Sequence, residues 1–141
     1  MKITSRFTVA VHTLIAICTL GKEYKMTSGF LASSVNVNPV VIRRTLLSLK
    51  AAGIVEVKAG SGGATLKKEA KDITLFDVYK AMDCIGDGLF HFHENPNTNC
   101  PVGKNIHAVL DPHLLEAQTA MESELKKVTV ADIARQLNNL L

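Results

Sequence analysis

The sequence predicts a mainly α-helical fold with a small β-wing. Three observations support this fold class. Apolar residues recur at helical spacing in three short segments before residue 53. A glycine-rich turn at residues 60–63 then separates two short strand-like runs. Beyond residue 102 the helical spacing returns for roughly 25 residues, longer than the ~10–14 of a typical helix. This order predicts a winged helix-turn-helix domain followed by a long C-terminal dimerisation helix.

The N-terminal part is predicted to hold three helices. The first runs from about residue 5 to residue 20, with Thr4 and Ser5 as alternative N-caps. Its apolar stripe consists of Phe7, Ala10, Val11, Leu14, Ile17 and Cys18. A short second helix opens at Thr27 or Ser28. The third runs from about residue 39 to residue 52. Its buried face is predicted at Ile42, Leu46 and Leu49.

The start of the third helix carries the candidate DNA-reading residues. Asn38 is a good N-cap, and Pro39 suits the first helical position, where no amide donor is needed. A recognition helix enters the major groove by its N-terminal turns, and this end presents Val40, Arg43 and Arg44. An Arg can bind guanine through two hydrogen bonds or can hold a phosphate. The sequence leaves both roles open for each of the two arginines.

A glycine-tipped hairpin follows the third helix, which ends at Gly53. Residues 54–58 and 64–66 are predicted as its two strands. The turn has no bulk at its tip, so its backbone can approach a phosphate or lie along the minor groove. The turn residues are Gly60, Ser61, Gly62 and Gly63. The sequence does not favour a nucleotide-binding loop, because no Lys-Ser/Thr pair and no helix follow this turn.

The second half is predicted to contain a helix from Thr74 to about Met82, a mobile loop over residues 86–101, and the long helix. Within the long helix, Pro112 marks either a kink or a restart. The helix has an apolar stripe that includes Ile106, Leu110, Leu114, Met121 and Leu125. The stripe could cover the DNA-binding domain, but pairing with a second copy is more economical. A twofold dimer would place two recognition helices on a palindromic site. Thr129 caps a last short helix.

Charge divides the chain in two. Residues 1–72 hold eleven Lys and Arg against four Asp and Glu, a net charge of +7, whereas residues 73–141 have a net charge of −4. This asymmetry indicates that only the first half meets a polyanion. We therefore expect a winged helix-turn-helix domain (1–72), a linking helix with a sensor-type loop (73–101), and a dimerisation helix with a C-terminal helix (102–141).

Composition also excludes several classes of protein. No apolar run of 18 residues is present and no signal-peptide cleavage site is evident, so we expect a cytoplasmic protein. Three widely spaced cysteines (Cys18, Cys84 and Cys100) do not form a disulfide framework. His93, Cys100 and His107 are evenly spaced and could together hold a metal or cluster. Solvated histidines and a lone thiol are the simpler interpretation. We expect no cofactor, and no set of residues supports an enzyme.

Six motifs taken in order are specific: residues 1–10, residues 38–44, residues 49–55, the glycine turn 60–63, the restart at residues 73–75, and residues 100–103 before the long helix. With them the chain resembles the Rrf2 family of winged-helix regulators over essentially its whole length. The resemblance implies a homodimer on a palindromic promoter site, usually a repressor. It places DNA contacts on the third helix, the wing and the start of the first helix. Beyond the residues already named, those contacts would come from Lys2, Thr4, Arg6 and Lys50. We also expect DNA contacts from Thr27 and Ser28 at the start of the second helix.

Iron–sulfur members of that family carry three cysteines in the loop before the dimerisation helix. This chain has only Cys100 there, so it is most similar to the branch that lacks the cluster cysteines. Cys100 could instead be a thiol sensor, which requires an exposed thiolate of low pKa. The sequence therefore predicts a DNA-binding transcriptional regulator that is responsive to redox state or to a ligand. The alternative is a winged-helix adaptor that binds another protein and not DNA.

Overall fold

The computed structural model describes residues 4–59, 62–82 and 89–141. It has helical elements α1 (Ser5–Leu20), α2 (Ser28–Val35), α3 (Pro39–Ala51), a 3₁₀ turn (Ala70–Asp72), α4 (Leu75–Ala81), α5 (Pro101–Lys126) and α6 (Val130–Asn138), with strands β1 (Val55–Lys58) and β2 (Gly63–Leu66). The predicted fold class, a winged helix-turn-helix with a long C-terminal helix, is confirmed. No helix in the described ranges is both long enough and apolar enough to cross a membrane.

Helix α1 is the central helix of the fold. Thr4 is its N-cap and accepts a hydrogen bond from the Arg6 backbone N–H. The five consecutive residues 13–17 are buried, so the helix is enclosed on every side at its middle and not only along the predicted stripe. The one polar member, Thr13, donates its hydroxyl hydrogen to the Val9 carbonyl at 2.8 Å. Helices α2, α3, α4 and α6 and strand β2 all pack against α1.

Helices α4 and α6 begin side by side with matching caps. Thr74 and Thr129 each form a capping box with the Asp three residues later. Two backbone hydrogen bonds join the two starts, from the Leu75 N–H to the Val128 carbonyl at 2.9 Å and from the Val130 N–H to the Ile73 carbonyl at 2.8 Å. Helix α6 therefore returns to the N-terminal core, where Val130 is fully buried.

Helix α5 is continuous from Pro101 to Lys126 and contains Pro112 in its interior. The structure thus excludes a restart at Pro112, which was one of the two predicted alternatives. The C-terminal half of α5 packs on α4, and the Lys126 ammonium lies 4.6 Å from the centre of the Phe76 ring. Met121 and Leu125 contact the core of the same chain.

Strands β1 and β2 form an antiparallel hairpin with register from Val55 opposite Leu66 to Lys58 opposite Gly63. The first residue of β2, Gly63, is buried and has a left-handed φ of 76°. A Cβ at this position would lie 2.9 Å from backbone atoms of Met26. The next residue, Ala64, donates its N–H to the Met26 carbonyl at 2.9 Å. The base of the wing is therefore fixed against the segment that precedes α2.

We predict that Gly63→Ala lowers the free energy of unfolding by about 1–3 kcal/mol, because it adds a side chain at a strained φ and against backbone that cannot move. Gly29→Ala is the matched control, since Gly29 lies in α2 with open space around it. It should leave stability unchanged or raise it by at most about 1 kcal/mol. Urea unfolding of both variants measures the difference. Equal stabilities would contradict the close approach at Met26.

Candidate nucleic-acid interface

Helices α2 and α3 are joined by a tight turn. Thr27 caps α2 by accepting a hydrogen bond from the Phe30 N–H at 3.1 Å, and Ser28 is the first helical residue. Helix α2 ends at Asn36, which adopts the left-handed conformation with φ of 64°. The following N–H, that of Val37, returns to the Ala32 carbonyl. The turn therefore sets the direction in which α3 leaves α2.

Helix α3 has one buried and one exposed face. Asn38 caps it by accepting a hydrogen bond from the Val40 N–H at 2.9 Å, and Pro39 occupies its first turn. The predicted buried face, Ile42, Leu46 and Leu49, is confirmed, because each is at most 4% exposed. The exposed face carries Val40, Arg43, Arg44 and Lys50. This places four of the predicted DNA-binding side chains on one solvent-facing surface.

The wing lies beside α3. Lys58, at the end of β1, is exposed and lies close to Gly62, where an added Cβ would collide with the lysine side chain. The predicted turn residues Gly60 and Ser61 lie outside the described residues, as does Lys2 at the N-terminus. Gly63, in contrast, is buried at the base of the wing. The structure therefore gives Gly63 a role in the hairpin itself.

The cations of this surface have no acidic partner in the part of the chain that the structure describes. Among the described residues, Lys71, Lys127 and Arg135 form ion pairs, and His107 makes a close contact with the Asp111 carboxylate. Within that same part of the chain, no carboxylate lies in ion-pair distance of Arg6, Arg43, Arg44, Lys50 or Lys58. Their positive charge is therefore available to an external anion.

Arg6 and Arg44 border the same cleft, although they belong to different helices. They line one cleft of about 430 Å³ between the start of α1 and the exposed face of α3, with Thr45 and Ser48 at its wall. Two guanidinium groups at one cleft suit a phosphate, which accepts several hydrogen bonds from Arg. Thr4 was also predicted to contact DNA, and its hydroxyl oxygen accepts the hydrogen bond that caps α1.

A second cleft, of about 500 Å³, separates α3 from the wing. It is lined by Ser28, Arg43, Leu46, Leu47, Lys50, Val57, Lys58 and Ala59. Leu47 is 66% exposed although it lies in the middle of a helix, and Val57 is 39% exposed. Sequence reasoning did not select either residue. The sequence did contain one signal for Leu47. It follows Leu46 of the buried face by one residue and precedes the exposed Lys50 by three, so helical spacing places it outside the buried face.

Helix α5 carries two apolar faces. The first is in the C-terminal half of the helix, where Met121 and Leu125 of the predicted stripe pack on the core of this chain. The second is in the first half and is exposed. Ile106 and Leu114 are half-buried, and Leu110 is 38% exposed. This second face includes Val102 and Val109, where the exposed fractions are 68% and 62%.

The loop before α5 packs along that helix. The His93 and His107 rings lie 5.0 Å apart, and the His107 Nδ1 atom lies 3.1 Å from the Asp111 carboxylate. Within residues 4–59, 62–82 and 89–141, no three His, Cys, Asp or Glu side chains come together in a group that could hold a metal ion. Cys84 lies outside the described residues. The donors in the described part of the chain therefore do not fit an iron or iron–sulfur centre.

Cys100 is the residue immediately before α5, and its thiol is exposed and unbonded to another cysteine. It makes no capping hydrogen bond through its side chain. The backbone N–H of Gly103, and to a smaller degree that of Val102, lowers the pKa of the Cys100 thiol, because amides at the start of a helix favour the thiolate. The other described cysteine, Cys18, is half-buried against the core.

Comparison with known proteins identifies the family of the chain. Residues 3–136 match the family model Rrf2, described as "Iron-dependent Transcriptional regulator". The chain is 44% identical over 135 residues to YwnA of Bacillus subtilis, named as an HTH-type transcriptional regulator, and the match covers 96% of this chain and 98% of YwnA.

Two solved structures show the same fold. One, described as a DNA binding protein, is 40% identical with a TM-score of 0.73, and the match covers 92% of this chain and 98% of that one. The other, described as a transcriptional regulator from Lactobacillus plantarum, is 27% identical with a TM-score of 0.80, covering 98% and 91%. The chain belongs to the Rrf2 family of DNA-binding transcriptional regulators.

Proposed function

We propose that this family member is a homodimeric repressor that places one α3 in the major groove of each half of a palindromic promoter site. The observation that supports this proposal most directly is the exposed face of α3, where Arg43 and Arg44 have no acidic partner among the described residues. A protein with this role works in the cytoplasm, beside the chromosome, and the proposal assigns it no catalytic step.

The two arginines are assigned different tasks. Arg44 shares its cleft with Arg6 from α1, so both guanidinium groups are placed to hold one stretch of phosphate backbone. Arg43 lines the cleft between α3 and the wing, nearer to Lys50 and Lys58. We assign Arg43 to a base edge or to the phosphates that flank it. The wing then follows the backbone beside the groove that α3 occupies.

We predict that Arg44→Ala weakens binding to all duplexes alike and reduces the slope of log K against log salt by about 1, because it removes one phosphate contact. Fluorescence anisotropy between 50 and 200 mM salt, with a selected genomic fragment and an unrelated duplex, measures both effects. Lys127→Ala is the control, since Lys127 is an exposed cation paired with Glu124 in the acidic half. If the wild-type protein bound no duplex even at low salt, the protein–protein adaptor would become the better hypothesis.

The exposed apolar face of α5 supports the dimer. Val102, Ile106 and Val109 follow one another at spacings of four and three residues, the spacing of a seam between paired helices. Leu110 extends this face. Met121 and Leu125, by contrast, are already in contact with the core of their own chain. We therefore centre the proposed dimer interface on the first half of α5.

Val109→Glu should convert the dimer to a monomer, because a carboxylate in an apolar seam loses its hydration without gaining a partner. Light scattering coupled to size-exclusion chromatography gives the mass. Leu115→Glu is the matched control: Leu115 is 53% exposed on the same helix but lies outside the seam. A monomeric Leu115→Glu variant together with a dimeric Val109→Glu variant would place the interface on the wrong face.

We also propose that DNA binding responds to oxidants through Cys100. The thiolate that the first amides of α5 favour is the nucleophilic form of cysteine. Peroxide converts a thiolate to a sulfenic acid with release of hydroxide. This change removes the negative charge at the start of the helix that carries the dimer seam. Oxidation is thereby linked to the element that sets the distance between two α3 helices.

Cys100 should alkylate faster than Cys18 at neutral pH, and the midpoint of its rate against pH should lie below that of an ordinary thiol. The sign follows from the lowered pKa, because the thiolate then persists to lower pH. Peptide mass spectrometry after brief iodoacetamide treatment across a pH series measures both rates. Cys100→Ser should remove the oxidant response and preserve the affinity of the reduced protein. An unchanged response in that variant would exclude Cys100 as the sensor.

A further inference from the structure

The exposed face of α3 carries aliphatic side chains among its cations. Val40 and Leu47 are 41% and 66% exposed, and they lie seven residues apart on the same side of the helix. Arg44 lies between them on that side, four residues after Val40 and three before Leu47. An exposed leucine at the centre of a basic surface gains nothing from burial within this chain. The packing of this chain therefore does not explain why a leucine occupies position 47.

The surroundings of Leu47 indicate what covers it. The cleft that it lines with Val57 also contains Arg43, Lys50 and Lys58, and no carboxylate is among its lining residues in the described part of the chain. An apolar pair beside three cations that have no acidic partner among the described residues is complementary to an anionic partner that offers a small apolar group. Duplex DNA fits this description, because its major groove is bordered by phosphates and displays one apolar group, the C5-methyl of thymine.

The chemistry of the groove selects thymine over the other bases. The other features of the base edges in the major groove are hydrogen-bond donors and acceptors. An aliphatic side chain pressed against these removes their water and returns no hydrogen bond, which is unfavourable. Contact with the thymine methyl, in contrast, buries apolar surface on both partners. The length of the exposed face also suits the groove. The seven residues from Val40 to Leu47 rise about 10.5 Å along the helix, which corresponds to roughly three base-pair steps.

We propose that Leu47 is a specificity-determining residue that packs against the C5-methyl of a thymine in each half-site. This inference rests on the proposed function, because it requires α3 to enter the major groove. Arg44 then holds the phosphate backbone, and Arg43 contacts a base edge or the phosphates beside the thymine. The preferred half-site accordingly contains a thymine at one fixed position, and hydrogen bonding alone does not explain the preference for thymine there.

The test first removes the thymine methyl group from the DNA and then shortens the leucine side chain of the protein. Full-length wild-type protein first selects a duplex from genomic fragments. Each thymine of one half-site of that duplex is then exchanged in turn for deoxyuridine, which lacks only the C5-methyl. Anisotropy titrations at one salt concentration give the affinities. We expect a loss of about fourfold at one position, the value for burying one methyl-sized group.

The same titrations with Leu47→Ala connect that position to the side chain. This variant should bind the thymine and deoxyuridine duplexes equally well at the sensitive position, because the partner of the methyl is gone. Leu140→Ala is the control: Leu140 is 83% exposed at the opposite end of the chain, and the fourfold discrimination should persist. Circular dichroism confirms that both variants are folded.

The failures of this inference and of the proposed function can be told apart. If the wild-type protein selects no duplex, the proposed function is wrong and this inference is wrong with it. If it selects a duplex but no deoxyuridine exchange changes the affinity, the function stands and the thymine contact is wrong. The contact is equally wrong if Leu47→Ala retains the fourfold discrimination.

Discussion

The complete burial of the middle of α1 is the constraint on which the rest of the structure depends. A helix that is buried on all sides must be covered on all sides, and here α2, α3, α4, α6 and β2 share that task. The apolar side of α3 is therefore committed to α1, with Ile42 and Leu49 fully buried. Its opposite side has to face solvent. The orientation of the DNA-binding surface is thus a consequence of core packing.

The same constraint explains why α5 is divided. The hydrogen-bonded pair of capping boxes at Thr74 and Thr129 ties the start of α6 to the start of α4, which brings the end of α5 onto the core. Its first half extends beyond that anchor, and Val102 and Val109 remain exposed. A helix held at one end and apolar at the other is suited to joining two copies. Any change at its free start, where Cys100 lies, acts on the joining element itself.

Local chemistry explains how much of this could be predicted from sequence. Helix starts were predicted closely, because Thr4, Asn38, Thr74 and Thr129 act on amides two or three residues away. The full burial of residues 13–17 and the return of α6 to the core could not be predicted, because both depend on elements distant in sequence. Leu47 was missed for a related reason. A periodic pattern identifies the residues that are buried. An exposed leucine at the centre of a basic surface can be recognised only when the residues around it in the structure are known.

Cations and aliphatic side chains on one recognition surface have complementary effects. Arg and Lys contacts to phosphate supply affinity that is nearly independent of sequence and falls as salt rises. A surface made only of such contacts would bind every duplex alike. An aliphatic group at its centre adds little affinity, but it penalises each base edge whose donors and acceptors it would leave without water. Because this penalty does not depend on counterion release, discrimination at the Leu47 position should survive at salt concentrations that weaken the arginine contacts.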